Sequence, residues 1–231
     1  MLNVVSFSGG KDSTALLLMM LEKGIRVDRV IFIDTTKEFP QTYENIDRVQ
    51  EMIKPLEIEK FKIDFDYWFG EHIKTKGKYK GEKGYGWPGV NSRWCTGLKM
   101  ATFNKAVRGE EVAEFIGIAY DERERVVHNR QYSKNRNVKY PLVEWGVRER
   151  EALEYCYSKG LDWGGLYKKF NRVSCWCCPF QRIGALRTLF NDFPNLWQEL
   201  REMDKKSGRK FRLNYSVDDL TGMFLKENLK R

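Results

Sequence analysis

A short apolar run, Leu2 to Val5, leads into Ser6-Phe7-Ser8-Gly9-Gly10-Lys11-Asp12-Ser13 and then into an apolar helical pattern from Thr14 to Leu21. Strand, tight glycine turn and helix, in that order, create a place for an anion. Two adjacent glycines let the backbone turn sharply and approach a ligand closely. The helix behind them aims its free N–H groups and the positive end of its dipole at the same point. Ser8 and Ser13 add hydroxyl donors and Lys11 a positive charge. Asp12 is a candidate magnesium ligand, or a charge suited to a helix N-terminus. The spacing is not that of the Walker loop, which sets four residues between its first glycine and Gly-Lys-Ser/Thr. A glycine pair in an ordinary turn is the plainer reading. The preceding strand and the flanking serines and lysine favour nucleotide phosphate binding.

The next segments repeat the alternation. Arg29 to Asp34 contains Val30-Ile31-Phe32-Ile33, an apolar run suited to a buried parallel strand, and an amphipathic helix is expected over about 41–54. A third strand is expected from Ile58 to Asp64, a helix ending near Val107, and a fourth strand from Glu114 to Ile118. This order predicts an α/β fold with a doubly wound, mostly parallel, Rossmann-like sheet and helices on both faces. Ligands of such sheets bind beyond the carboxyl ends of the strands. Asp34 and Thr35 are therefore candidates for the ribose or adenine, Arg123 and Arg125 for the phosphates, and Gly117, at the end of the fourth strand, for nucleotide binding. Asp34 serves equally well as a helix cap, and the arginines as a surface charge run.

Length admits one substantial core, and no apolar run approaches the roughly 20 residues that a membrane span needs. The beginning of the chain lacks an export pattern, so a cytoplasmic protein without a membrane partner is expected. A formal net charge of +9 fits a polyanionic partner. Between Lys74 and Gly89, lysines alternate with Tyr79, Tyr85 and Trp87. A solvated loop is the plainer local reading; the alternative is a segment that tracks a phosphate backbone and stacks on bases. His128 to Lys139 reads as a polar, basic, mobile loop. Arg148 to Ser158 and Ile183 to Phe190 read as helices, and Gly160 to Phe170 as an aromatic loop. The tail from Pro194 reads as helical and basic, with a turn at Lys205 to Lys210. The expected division is a nucleotide domain over 1–182 and a helical C-terminal extension over 183–231.

The five cysteines are unevenly spread. Cys156 sits in a helical pattern, where a small buried side chain is the common outcome. The others are Cys95 and the cluster Cys175-Trp176-Cys177-Cys178-Pro179. In a reducing compartment, close cysteines point to a metal or redox chemistry. Cys95, Cys175 and Cys178 suit a [4Fe–4S] cluster with one open iron, which Cys177 would close; four thiolates also suit a structural Zn2+. Reduced core thiols are the plainer reading.

Taken in order, these motifs resemble the phosphoadenosine phosphosulfate reductase family, within the adenine-nucleotide alpha-hydrolase fold that also includes the N-type ATP pyrophosphatases. Ser8 to Ser13 is similar to the family's pyrophosphate loop, and Asp34 to Thr42 to its second nucleotide segment. Arg93-Trp94-Cys95 with Lys99 is similar to its arginine-cysteine-lysine motif. Gly117 with Asp121, Glu122 and Arg125, then Tyr140-Pro141-Leu142, Leu166-Tyr167 and Cys175 to Pro179, follow in the family's order. The resemblance implies ATP with Mg2+, held at Lys11, Asp12 and Ser13. ATP would be cleaved to pyrophosphate and an acceptor adenylated. The reductases use a cysteine in a C-terminal Glu-Cys-Gly segment, whereas no cysteine follows Cys178 here. The first cysteine motif also carries one cysteine where cluster-containing adenylylsulfate reductases have a pair. Relatives that thiolate tRNA join this loop to a three-cysteine cluster, which implies sulfur transfer to tRNA or DNA with a sulfur-donor protein. A homodimer is a further expectation. The alternatives are a sulfonucleotide reductase or sulfate-activating enzyme, and a non-catalytic nucleotide- and cluster-binding subunit.

Overall fold

A computed structural model describes residues 1–126 and 137–229. The strands are β1 (Leu2–Phe7), β2 (Arg29–Asp34), β3 (Ile58–Lys62), β4 (Val112–Ile116) and β5 (Asn137–Lys139). The helices are α1 (Lys11–Glu22), α2 (Pro40–Met52), α3 (Trp94–Ala106), α4 (Pro141–Glu144), α5 (Glu149–Ser158), α6 (Leu166–Lys169), α7 (Ile183–Asp192), α8 (Pro194–Lys206) and α9 (Val217–Asn228). Single helical turns lie at Tyr67–Glu71, Tyr120–Glu122 and Trp163–Gly165. Among the described residues no helix is long and apolar enough to cross a membrane.

The five strands are all parallel, in the order β3-β2-β1-β4-β5. From β1 the chain winds outward through β2 to β3, then returns to the other side of β1 as β4. The connections leaving β1 and β4 therefore run in opposite directions, which opens a crevice at their carboxyl ends. Residues Val4, Val5, Val30, Ile31 and Phe32 are almost wholly buried, as a parallel sheet covered on both faces requires. Helix α1 is buried nearly all round, because it packs against both β1 and α5.

Two strands end earlier than the sequence predicts. β3 stops at Lys62, and Asp64 instead accepts the Tyr67 N–H (3.1 Å) to start a helical turn. β4 runs over Val112–Ile116, so Gly117 and Ile118 lie in the turn beyond it, with the Ile118 N–H bonded to the Ile116 carbonyl at 3.1 Å. The mobile loop expected over 128–139 is corrected at its end, where Asn137–Lys139 pairs with Ala113–Phe115 as an edge strand. One inward residue suffices there: Val138 packs on Ile118, Val126 and Tyr140. The rest of that expected loop lies outside the described residues.

The residues fall into two compact units. One comprises Met1–Asp34, Phe39–Lys62 and Met100–Tyr167, and contains the sheet; the other comprises Thr35–Glu38, Ile63–Lys99 and Lys168–Arg231. In the second unit α7, α8 and α9 meet through Phe190, Trp197 and Phe224, whose ring centroids lie 5.5–5.8 Å apart. The Trp197 indole N–H also donates to the Thr221 hydroxyl at 3.0 Å. Phe224 is fully buried. Phe224→Ala is expected to cost about 3–5 kcal/mol, read as a lower urea midpoint for the transition that reports the C-terminal helices.

Candidate functional site

In the sheet unit, the turn after β1 is built around Gly9, whose φ of 75° lies in the left-handed region that glycine adopts without strain. A side chain there would collide with Ile46 of α2, 2.7 Å from its Cδ1. Position 117, just beyond β4, is as close, but to backbone. A Cβ on Gly117 would fall 2.7 Å from the Asp12 carbonyl and the Ser13 nitrogen, both backbone atoms. The first turn of α1 thus sits directly against the tip of β4, with Gly117 packed on the loop.

The serines lock the loop. Ser13 Oγ accepts from the Ser8 N–H (3.1 Å), lies 2.9 Å from Ser8 Oγ and donates to the Gly10 carbonyl at 3.0 Å. Lys11 is buried, and its ammonium lies 2.7 Å from Asp12 and 3.1 Å from Glu149. Burial pushes the Asp12 carboxyl above its usual pKa, and the attraction of Lys11 only partly reverses this. From the far end of the unit, the Trp163 indole N–H donates to the Gly9 carbonyl (2.8 Å), and the Tyr167 hydroxyl accepts the Lys11 N–H (2.9 Å). Trp163 itself has a positive φ of 52°. Such backbone persists only where its surroundings over-determine it.

Beside the loop, several polar atoms are buried without a hydrogen-bond partner among the described residues. They are Thr14 Oγ1, Gln41 Oε1, Thr42 Oγ1 and both amide atoms of Asn45. The Thr42 methyl is 3.2 Å from where a Gly9 Cβ would stand, which sets this polar face of α2 against the loop.

The other candidates are placed less uniformly. Asp34 accepts the Tyr43 hydroxyl at 2.7 Å, and Phe39, not Asp34, occupies the N-cap of α2. Arg123 stacks over the Tyr120 ring (4.9 Å) and Arg125 pairs with Glu122, so both make these contacts within their own turn. Thr35 belongs to the second unit, where its hydroxyl lies 3.3 Å from Cys175 Sγ.

That unit also gathers the thiols. Cys95 lies in the first turn of α3, and Cys175, Cys177 and Cys178 in one turn closed by the Cys178 N–H to the Cys175 carbonyl at 3.1 Å. The Gln181 amide donates to the Cys175 and Trp176 carbonyls (3.1 and 2.8 Å) and fixes that turn. Cys175 Sγ lies 3.3 Å from Glu38, which is buried and also meets Lys99 at 3.4 Å. Burial pushes the Cys175, Cys177 and Cys178 thiols up, and mutual repulsion adds to this: Cys178 acts on Cys175, and Cys95 on Cys178. The four cysteines thus share one electrostatic neighbourhood. Among the described residues no three His, Cys, Asp or Glu side chains are arranged to hold a metal ion.

Sequence reasoning did not select Trp163, Tyr167, Glu149, Glu38 or Gln181 as site residues. Tyr167 had a signal in the Leu166-Tyr167 pair. Trp163 and Glu149 had none, because their bonds to the loop span well over a hundred residues.

Residues 2–181 match the phosphoadenosine phosphosulfate reductase domain. The chain belongs to that family. This family member is 28% identical over 228 residues to an uncharacterized protein of Methanocaldococcus jannaschii, covering 91% of this chain and 43% of that protein. It is 34% identical over 151 residues to an uncharacterized nin region protein of Escherichia phage lambda, covering 54% of this chain and 51% of the phage protein. The chain thus spans about half the length of these curated relatives. A solved U34-tRNA thiolase from Methanococcus maripaludis, carrying its [4Fe–4S] cluster, is similar at 15% identity and a TM-score of 0.46, over 88% of this chain and 71% of that one. A predicted subunit of tRNA methyltransferase from Methanocaldococcus jannaschii is similar at 14% identity and a TM-score of 0.36, over 69% and 89%.

The close approach at Gly117 is expected to make Gly117→Ala destabilising by about 1–3 kcal/mol, as overpacking is. Gly97, in α3 and exposed with nothing within 4 Å of its would-be Cβ, serves as the control. Gly97→Ala is expected to be neutral or to stabilise by up to about 1 kcal/mol; urea denaturation reads both. Cys156 is fully buried and donates to the Lys11 carbonyl (3.5 Å); burial and then the Asp12 carboxylate push its thiol up to about 12. The unfolded thiol ionises near 9 and the folded one does not. This group's contribution to stability is therefore expected to be full below pH 9 and to fall as pH rises towards 12. At pH 8 iodoacetamide is expected to leave Cys156 unmodified until the chain is unfolded.

Proposed function

We propose that this chain cleaves ATP between the α and β phosphates and adenylates an acceptor oxygen, as the first stage of sulfur transfer to a nucleic acid. The observation that carries the reading is the loop of Ser8 to Ser13. It is clamped by Gly117, Trp163 and Tyr167, and holds a buried lysine at its centre. In the proposed reaction the acceptor oxygen attacks the α phosphorus, and the bond to the bridging oxygen breaks. Pyrophosphate then leaves with the bonding pair. Lys11 neutralises charge that grows on the leaving group, and the α1 N-terminus adds its dipole. Asp12 supplies the hard oxygen that Mg2+ prefers, and the ion would offset further phosphate charge. The unpartnered polar atoms of Gln41, Thr42 and Asn45 suit the hydrogen-bonding edges of a nucleoside, since native proteins seldom leave such groups unsatisfied without a functional reason.

The thiols form the second part of the proposal. A soft, sulfur-only donor set of Cys95, Cys175 and Cys178, with Cys177 beside it, fits an iron–sulfur cluster by its chemistry. A cluster would supply an open iron for a sulfur atom. Zn2+ on four thiolates is the structural alternative. Both would require the thiols to give up protons that burial now holds.

Lys11→Ala is expected to lower pyrophosphate release from ATP by about 100-fold or more. Undiminished release would remove the loop from the reaction. Anaerobically purified protein is expected to be brown with about four irons per chain; one zinc in colourless protein would make the cysteines structural.

A further inference from the structure

The second unit carries a cleft of about 460 Å³ to which the phosphate loop does not contribute. Its walls come from two distant stretches, 69–86 and 206–209, and Lys74, Lys83, Lys206 and Arg209 line it together with Tyr79 and Tyr85. Between them, residues 74–83 and 205–212 hold ten basic residues and one acid, Glu82, which pairs with Lys74 at 3.2 Å. Lys83, Lys206 and Arg209 are exposed.

The cleft is built rather than incidental. The Trp87 indole N–H donates to Asp204 (2.8 Å) and the Trp87 ring meets Phe211 edge-on at 4.9 Å, so the two walls are fastened below the surface. The lysine-rich wall lies on the Tyr67–Glu71 turn through three backbone bonds: Gly84 to His72, Tyr85 to Trp68 and Gly86 to Phe69, at 2.8–3.0 Å. Gly84 is required for this, since a Cβ there would lie 2.3 Å from the Phe69 carbonyl oxygen. The aromatic side chains are also ordered. Tyr85 is parallel to Trp68 (5°, 6.1 Å) and close to parallel with Trp94 (28°, 5.7 Å). Tyr79 is about half exposed, with the Lys74 and Lys78 ammonium groups 5.3 and 5.8 Å from its ring centre.

Cations along a groove neutralise a phosphate backbone, and an exposed ring accepts an unstacked base. A duplex keeps its bases stacked and offers the ring nothing. We infer that this cleft binds a single-stranded segment of nucleic acid, with Lys83, Lys206 and Arg209 on phosphates and Tyr79 under a base. The inference deepens the proposed nucleic-acid acceptor by naming where it is gripped, and it needs no ATP chemistry.

The test is fluorescence anisotropy with a labelled 12-nucleotide single-stranded RNA, its DNA counterpart and a duplex of equal length, across a salt series. The triple variant Lys83→Glu, Lys206→Glu, Arg209→Glu is expected to weaken single-strand binding at least tenfold. Its log–log salt slope should fall by about 2, from about 0.7 per lost phosphate contact. Tyr79→Ala is expected to weaken binding about fivefold or more with the slope unchanged. All three replaced cations are exposed, so melting temperatures close to the parent's are expected to confirm the fold. Unchanged affinity in the triple variant overturns the cleft; a duplex bound as tightly as the single strand, with Tyr79→Ala neutral, overturns it too. Binding that the triple variant loses, in a parent that releases no pyrophosphate from ATP, supports the cleft and overturns the ATP reading alone.

Discussion

The loop after β1 depends on the distance between two pieces of backbone. The first turn of α1 approaches the tip of β4 so closely that a methyl group at position 117 would overlap Asp12 and Ser13. The approach follows from topology. β1 and β4 are neighbours whose connections leave in opposite directions, so the crevice between their ends is free of crossing chain. Nothing needs to fill it from below, and α1 can start at the sheet edge itself. Gly9 solves the matching problem on the α2 side, where Ile46 leaves no room for a Cβ. The turn is then held in a rigid frame, with the Ser8, Gly10 and Lys11 N–H groups bonded to Ser13 Oγ, Ser8 Oγ and the Tyr167 hydroxyl.

That frame carries a cost in buried polarity. Lys11 lies in the interior with two carboxylates, and Thr14, Thr42 and Asn45 are buried with polar atoms unpartnered among the described residues. Each unsatisfied group costs about 1–3 kcal/mol. The sheet core and the α1–α5 contact offset this, with Ala15, Leu16, Leu17, Ala152 and Cys156 excluded from solvent. Polar strain of this kind concentrates at binding sites, where a ligand relieves what folding leaves unpaired. The raised pKa of Asp12 belongs to the same pattern, since its carboxylate is held in a place that disfavours charge despite a lysine at 2.7 Å.

Local physics made much of this legible from residues alone. Val30 to Ile33 reads as a buried strand because an all-apolar run of that length has no other economical place. Ser8 to Ser13 reads as the tight turn between a strand and a helix because glycine, hydroxyl and helix start act within six residues. β5 was not legible: an edge strand that buries only Val138 between Asn137 and Lys139 leaves no run to detect. Trp163 and Glu149 were not legible as site residues for another reason. Trp163 meets Gly9 across 154 residues, and no local pattern encodes such a pairing. The division into units was not legible either: Thr35 follows Asp34 directly, yet the chain passes into the second unit between them, and Thr36 next to it adopts a φ of 61°.

A buried cation helps to hold that short segment in the second unit. The Lys37 ammonium lies 3.0 Å from Asp66 and 2.8 Å from Glu199, and 5.4 Å above the Trp176 ring. The Lys37 carbonyl meanwhile accepts the Trp176 N–H at 3.0 Å. One residue therefore ties together the segment 35–38, the turn before Tyr67, helix α8 and the cysteine turn. Burial alone would pull its pKa down, but the two carboxylates outweigh that and keep it raised. Such a contact, with Lys37 buried and Asp66 and Glu199 exposed, adds little net stability, because desolvation of the lysine cancels most of the attraction. Its value lies in direction. A methionine of the same length would fill the space and leave Asp66 and Glu199 to repel one another, and the backbone of Thr35 to Glu38 would lose the anchor that sets Thr35 and Glu38 beside Cys175.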